Sequence, residues 1–169
     1  ANKQFDRAIE CYDRILTKMP DFYRAFHQKG EAFLKWKKYK EALDSFRRSV
    51  KLKPSYYKSL VRIGDILGKI QQYKDAIEYY DKALKIESNC LEALDGKGRC
   101  LAKLGEYNQA IEIYAQIIEI EPESYRNLSR WGDALLELNC VSEALDIYQQ
   151  VIDNKPKYIE AWEGKAKAL

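Results

Sequence analysis

A chain of 169 residues suffices for one domain by the usual prior. At 46% hydrophobic and 33% charged it is globular rather than disordered. No apolar run approaches the ~20 residues of a membrane helix, and no basic-then-apolar start reads as a signal peptide. The net charge of +3 is too weak to argue for nucleic acid alone, yet it is unevenly spread. Residues 1–90 hold 20 Lys+Arg against 12 Asp+Glu, a net of +8, and residues 91–169 hold 9 against 14, a net of −5. Such an asymmetry can steer partners.

The first predicted element, residues 1–22, is a helix already under way at Ala1, carrying Phe5, Ala8, Tyr12 and then Pro20. In residues 23–56 a Gly30 is followed by Tyr39, Ala42, Phe46 and Pro54, which repeat the first set 34 residues on. Residues 57–90 bring Gly64, Tyr73, Ala76 and Tyr80, with Ser88 in the proline slot. Residues 91–124 bring Gly98, Tyr107, Ala110, Tyr114 and Pro122. Residues 125–158 bring Gly132, Val141, Ala144, Tyr148 and Pro156, and residues 159–169 echo residues 91–101, with Ala166 in the glycine column. A fixed period of this length marks a stack of supersecondary units.

Each unit reads as two helices. Leu60, Ile63, Leu67 and Ile70 make one apolar helical stripe, and Tyr73, Ala76, Ile77, Tyr80, Ala83 and Leu84 make a second. Gln71-Gln72 leaves room only for an antiparallel hairpin. In the third repeat Gly105 stands there, where a left-handed residue can end a helix. The prolines stop the second helix. Where the helices cross, a small residue such as Gly64 or Ala76 is needed, and Tyr80 and its equivalents fill the space beside it. In the fourth repeat Val141 and Asn154 replace the usual Tyr and Leu or Ile, which predicts a looser hairpin.

This order of Gly, Ala, aromatic and Pro resembles the tetratricopeptide repeat. The RNA-reading pentatricopeptide family is similar but runs at 35 residues. The resemblance covers the whole chain as a second half-repeat (1–22), four whole repeats (23–56, 57–90, 91–124, 125–158) and a first half-repeat (159–169). It implies an all-α, right-handed superhelical solenoid of helical hairpins. Phe26, Leu60, Leu94 and Leu128 replace the family's first-helix Trp, which only Trp162 supplies.

No enzyme constellation is present in the sequence. One histidine, His27, cannot make a zinc motif, and a lone His on a polar helix face reads as surface. The pairs Gly96-Lys97 and Gly164-Lys165 fail as phosphate loops, because they fall inside predicted helices and lack the required partners. Cys11, Cys90, Cys100 and Cys140 have no metal or redox spacing, and read as reduced, mostly buried residues of a cytoplasmic protein. No catalytic residue, cofactor or metal is expected. In Lys35-Trp36-Lys37-Lys38-Tyr39-Lys40 both rings share columns with apolar residues and read as core, so nucleic acid is disfavoured.

A curved array works through its concave face, and the resemblance implies that the first helix of each repeat lines it. Opposite the apolar stripe stand Arg24, His27, Gln28 and Glu31, then Lys58, Val61, Arg62 and Asp65. Glu92, Asp95, Gly96 and Arg99 follow, then Arg126, Ser129, Arg130 and Asp133, and last Glu160, Glu163, Gly164 and Lys167. Of the family's carboxylate clamp for chaperone C-termini only Arg126 and Arg130 survive; Val61, Asp65 and Gly96 stand in the other places. The candidate peptide-binding groove is therefore Arg24, His27, Lys58, Arg62, Asp65, Arg99, Arg126, Arg130 and Asp133. Its arginines suit a protein or peptide segment bearing acidic side chains. The bland alternative is that these charges pair among themselves and solvate the face. A second function stays open: self-assembly, with the two terminal half-repeats stacking head to tail between copies.

Overall fold

The structure, a computed structural model, describes residues 2–169, with side chains from residue 3 onward. Ala1, where the first predicted helix opens, lies outside them. Among the described residues there are ten helices and no strand. They fall into two compact units, Ala1–Ser88 and Asn89–Leu169. The first unit holds α1 (Asn2–Lys18), α2 (Tyr23–Lys35), α3 (Tyr39–Leu52), α4 (Tyr57–Lys69) and α5 (Tyr73–Leu84). The second holds α6 (Leu91–Lys103), α7 (Tyr107–Ile120), α8 (Tyr125–Glu137), α9 (Val141–Asn154) and α10 (Ile159–Ala168). No described helix is long and apolar enough to cross a membrane.

The hairpin turns share one device. Lys37, Gln71, Gly105 and Asn139 all have left-handed backbones, with φ of 62°, 66°, 80° and 61°. In the first hairpin the Lys37 N–H donates to the Leu34 carbonyl at 3.0 Å and the Lys38 N–H to the Phe33 carbonyl at 2.9 Å. The same two bonds recur at Gln71 and Gln72, Gly105 and Glu106, and Asn139 and Cys140. They satisfy the last carbonyls of α2, α4, α6 and α8, so each first helix stops within one residue. Only Gly105 takes this conformation without steric cost, and the other three turns hold it with a side chain attached.

The glycine column sits against the aromatic column. A Cβ built on Gly30 would lie 2.7 Å from the Phe46 ring, and the figure is again 2.7 Å for Gly64 against Tyr80, Gly98 against Tyr114 and Gly132 against Tyr148. Ala42, Ala76, Ala110 and Ala144 are wholly buried beside them. Real Cβ atoms do not approach so closely, so these contacts require glycine, as a close-packed interior dictates. The prolines act as expected: Lys53, Glu121 and Lys155, each preceding one, have extended φ of −137°, −131° and −139°. Where Ser88 replaces proline, α5 ends two residues earlier in the register and its C-cap, Lys85, stays helical. Despite Val141 and Asn154, α9 has 14 residues, the length of α3 and α7.

Trp36 departs from the sequence reading. Its ring is half-buried, stacked on Phe5 at 6.0 Å, with the Lys38 ammonium 3.5 Å from its centre. Tyr39 is half-buried as well. Both rings cover the edge of the core rather than fill it.

Candidate functional site

The first helices of the repeats, α2 and α4 in the first unit and α6, α8 and α10 in the second, carry the candidate residues. In the first unit they converge on Arg62. Its Nε donates to Glu31 at 2.6 Å and its Nη1 to Asp65 at 2.9 Å. Asp65 also accepts a 3.0 Å hydrogen bond from the Tyr80 hydroxyl. Burial works against the Arg62 charge, yet the bonds to Glu31 and Asp65 outweigh it and raise the guanidinium pKa further.

His27 is not on the surface. It is 6% exposed, with its ring 5.3 Å from Phe46 and 5.1 Å from Tyr56. Its Nδ1 is hydrogen-bonded to the Ser59 hydroxyl at 2.9 Å, and Ser59 donates in turn to Ser49, also at 2.9 Å. Burial lowers its pKa from the usual 6.5, with Glu31 opposing and Arg62 and Lys58 assisting. A ligand in a groove cannot reach such a ring, so His27 leaves the candidate set. Val61, Gly96 and Ser129, read from the same face, are buried too. Arg24 is exposed and leans on its own neighbour, its Nε 3.2 Å from the Tyr23 hydroxyl. Lys58 is exposed as well.

In the second unit the focus is Asp95, which accepts from Arg130 Nη1 and, at 3.5 Å, from Arg99 Nε. Arg130 also reaches the buried Asn127 at 3.1 Å, and Asp133 accepts from the Tyr148 hydroxyl at 2.7 Å. Two pockets flank this cluster. One, of about 410 Å³, is lined by Arg99, Lys103, Tyr107, Tyr114, Arg130, Asp133 and Glu137. The Tyr114 hydroxyl has its pKa pushed up to about 12, chiefly by burial. The other, of about 400 Å³, lies by the start of α8 and includes Arg126, Tyr125, Lys155 and Tyr158. Burial, then Glu160, raises the Tyr158 hydroxyl pKa, with Arg126 and Arg130 opposing.

The structure thus brings Arg62 and Asp65 together in the first unit, and Arg99, Arg130 and Asp133 in the second. Sequence reasoning missed Lys103, Tyr107 and Glu137, which share the pocket with Arg99. The signal was available: Lys103 follows Arg99 by one turn, ~6 Å along the helix, on the same face.

Comparison with known proteins agrees with this architecture. The family model "Tetratricopeptide repeat" matches residues 71–131 and 101–168, more than half of the chain. The chain belongs to the tetratricopeptide repeat family. Residues 1–83 match the model for subunit 3 of the anaphase-promoting complex, or cyclosome. No curated protein matches the chain. Among solved structures, YrrB, described as a TPR protein with an unusual peptide-binding site, is 26% identical, with a TM-score of 0.85 over 99% of this chain and 85% of its own. MamA (residues 41 to the end) from Desulfovibrio magneticus RS-1 is 18% identical, with a TM-score of 0.84 over 91% of this chain and 87% of its own. A thermophilic TPR protein from Thermus thermophilus is 19% identical, with a TM-score of 0.70 over 99% of this chain and 92% of its own. The last two show the fold alone. The fold is an all-α solenoid of helical hairpins, and the chain is a protein-interaction scaffold of the tetratricopeptide kind.

Proposed function

We propose that the first-helix face binds a segment of another protein that carries acidic side chains, in a non-catalytic, cytoplasmic role. The observation that supports this reading is the second-unit pocket of Arg99, Lys103, Tyr107, Tyr114 and Arg130, whose own carboxylates, Asp133 and Glu137, already accept from tyrosine hydroxyls. Arg62 and Arg130 are already held by neighbouring carboxylates, so they frame the face rather than offer charge to a ligand. Arg99 has one long contact, and Lys103 has no ion pair among the described residues. The two residues stand one turn apart on α6 and share the pocket with Tyr114, a fit for a carboxylate side chain. The peptide-binding site described for YrrB supports a peptide as the class of ligand.

The test is a pull-down with Arg99→Glu and Lys103→Glu beside the parent. Reversing Arg130 would injure the face itself, since Asp95 depends on it. The double reversal should weaken a partner at least tenfold, and raised salt should weaken the parent interaction. A partner indifferent to both changes would move the site elsewhere.

Self-assembly is the second reading. The observation favouring it is the exposed apolar pair Ile159 and Trp162 on α10. Light scattering that grows with concentration would support it. A monomer at every concentration, with Trp162 emission unchanged on dilution, would remove it.

A further inference from the structure

The repeats at residues 23–56 and 125–158 place the same residue types in the same columns and use them differently. Tyr23 and Tyr56 in the first unit correspond to Tyr125 and Tyr158 in the second, Lys53 to Lys155, and Arg24 to Arg126. In the first unit the two tyrosines touch edge to face, with centroids 5.0 Å apart, and the buried His27 ring packs on Tyr56. Lys53 is exposed and lies on neither ring. In the second unit Ser129 stands where His27 does, and its buried hydroxyl has no partner. Tyr125 and Tyr158 make no ring contact with each other. Instead the Lys155 ammonium lies over both, 5.3 Å from one centroid and 5.5 Å from the other.

These two rings and Lys155 line the 400 Å³ pocket, whose other charged groups are Glu92, Asp95, Glu121, Glu123 and Arg126. Four carboxylates thus face two cations. Asp95 is engaged by Arg99 and Arg130, and Glu92 has only a 3.5 Å contact from the Cys90 thiol. Glu121 and Glu123 are exposed and carry no ion pair among the described residues. Lys155 therefore sits on aromatic faces while uncommitted carboxylates line the same pocket. An ammonium over a ring is attracted by the ring's negative face, and Lys155 shows that the tyrosine pair accepts one.

We infer that the Tyr125–Tyr158 pocket is a binding site for a basic side chain, lysine or arginine, of the bound protein segment, with Lys155 as its resident occupant. In this arrangement the incoming cation takes the rings, Lys155 swings toward Glu121 or Glu123, and the ligand's charge meets the remaining carboxylates. The inference rests on the first-helix face being the binding face. It adds that the partner carries a basic residue for this pocket beside the acidic one for Arg99 and Lys103. From Glu92 to Arg99 is seven residues of α6, ~10 Å. An extended segment spans that in about three residues.

The test uses N-acetyl-lysine methylamide and N-acetyl-arginine methylamide as probes, titrated into the whole chain and followed by NMR at the Tyr125 and Tyr158 rings. Both probes should bind weakly, and Lys155→Ala should tighten them at least threefold by removing the occupant. Lys157→Ala makes the same charge change at an exposed neighbour and should leave affinity unchanged. Tyr158→Phe should retain binding, while Tyr158→Leu should lose it. No shift at either ring would overturn the proposal, as would equal gains from Lys155→Ala and Lys157→Ala. Because the probes carry no acidic group, their result is independent of the Arg99 and Lys103 pull-down.

Discussion

The two units keep the same core columns and arrange the charges on their first helices in opposite ways. In the second unit the columns of α6 and α8 alternate in sign: Glu92 is matched by Arg126, Arg99 by Asp133 and Lys103 by Glu137. In the first unit the columns of α2 and α4 repeat their sign: Arg24 with Lys58, Glu31 with Asp65, Lys35 with Lys69. Like charges on neighbouring helices repel, and Arg62 offsets this where the structure needs it most, between Glu31 and Asp65. Stacking is therefore indifferent to which charges line the face, provided the glycine and aromatic columns are kept. That freedom is what allows one scaffold to carry different binding faces.

The largest test of the shared core is Ala110→Arg in α7 beside Ala42→Arg in α3. Both alanines are wholly buried, so each change should cost about 3 kcal/mol or more through overpacking and an unpaired charge. A chain that melts like its parent would show the helix crossing misassigned; unequal losses would show that the two columns are not equivalent.

Charge removal should separate the units. Arg62→Ala leaves Glu31 and Asp65 facing each other and should cost about 1–2 kcal/mol, discounted because the side chain is 38% exposed. Arg130→Ala should cost about half as much, since Arg99 remains near Asp95. Urea unfolding gives both values, and a larger loss at Arg130 would reverse the comparison.

The buried histidine gives the first unit a pH response that the second lacks. Its folded pKa lies below the usual 6.5, so the unfolded chain binds the proton more readily. This contribution to stability is complete above 6.5 and declines as pH falls below it. In His27→Asn the decline between pH 6.5 and 5 should flatten; an unchanged slope would place the titrating group elsewhere.

The smallest effects belong to the left-handed turns. Lys37→Gly should stabilise the chain by about 0.5–1 kcal/mol and Asn139→Gly by less, because asparagine tolerates this conformation better than lysine. Gly105→Ala should cost about 1 kcal/mol. Thermal melts of the three variants check the order.

Most of the fold was legible in the sequence because packing leaves few choices at a helix crossing. A residue as small as Gly30 must face one as large as Phe46, and the 34-residue spacing repeats that demand. The face was legible in outline but not in depth. The helical wheel of one hairpin puts His27, Val61 and Ser129 outward, yet in the stack a first helix also packs on the helix of the next repeat. His27 is buried because Ser49 and Ser59, far along the chain, give its ring a polar partner inside. Which carboxylate each arginine takes depends on side-chain reach, to which spacing is blind. The Tyr125, Lys155 and Tyr158 arrangement was within reach of the sequence, through the matching columns of Tyr23, Lys53 and Tyr56.

The helix beginnings carry a consequence of another kind. From α2 to α10 no N-cap residue lends a side-chain hydrogen bond to the first turn: most cap positions hold residues such as Phe22, Lys38 and Gln72, and the Ser124 hydroxyl of α8 accepts from the Asn127 side chain instead. First-turn amides are then left to water or to short backbone bonds. They should exchange with deuterium well ahead of the amides at the Gly30 and Gly64 crossings. An exchange map of this chain should therefore show two fast stretches in every repeat, one at each helix start, with slow amides at the crossings between them.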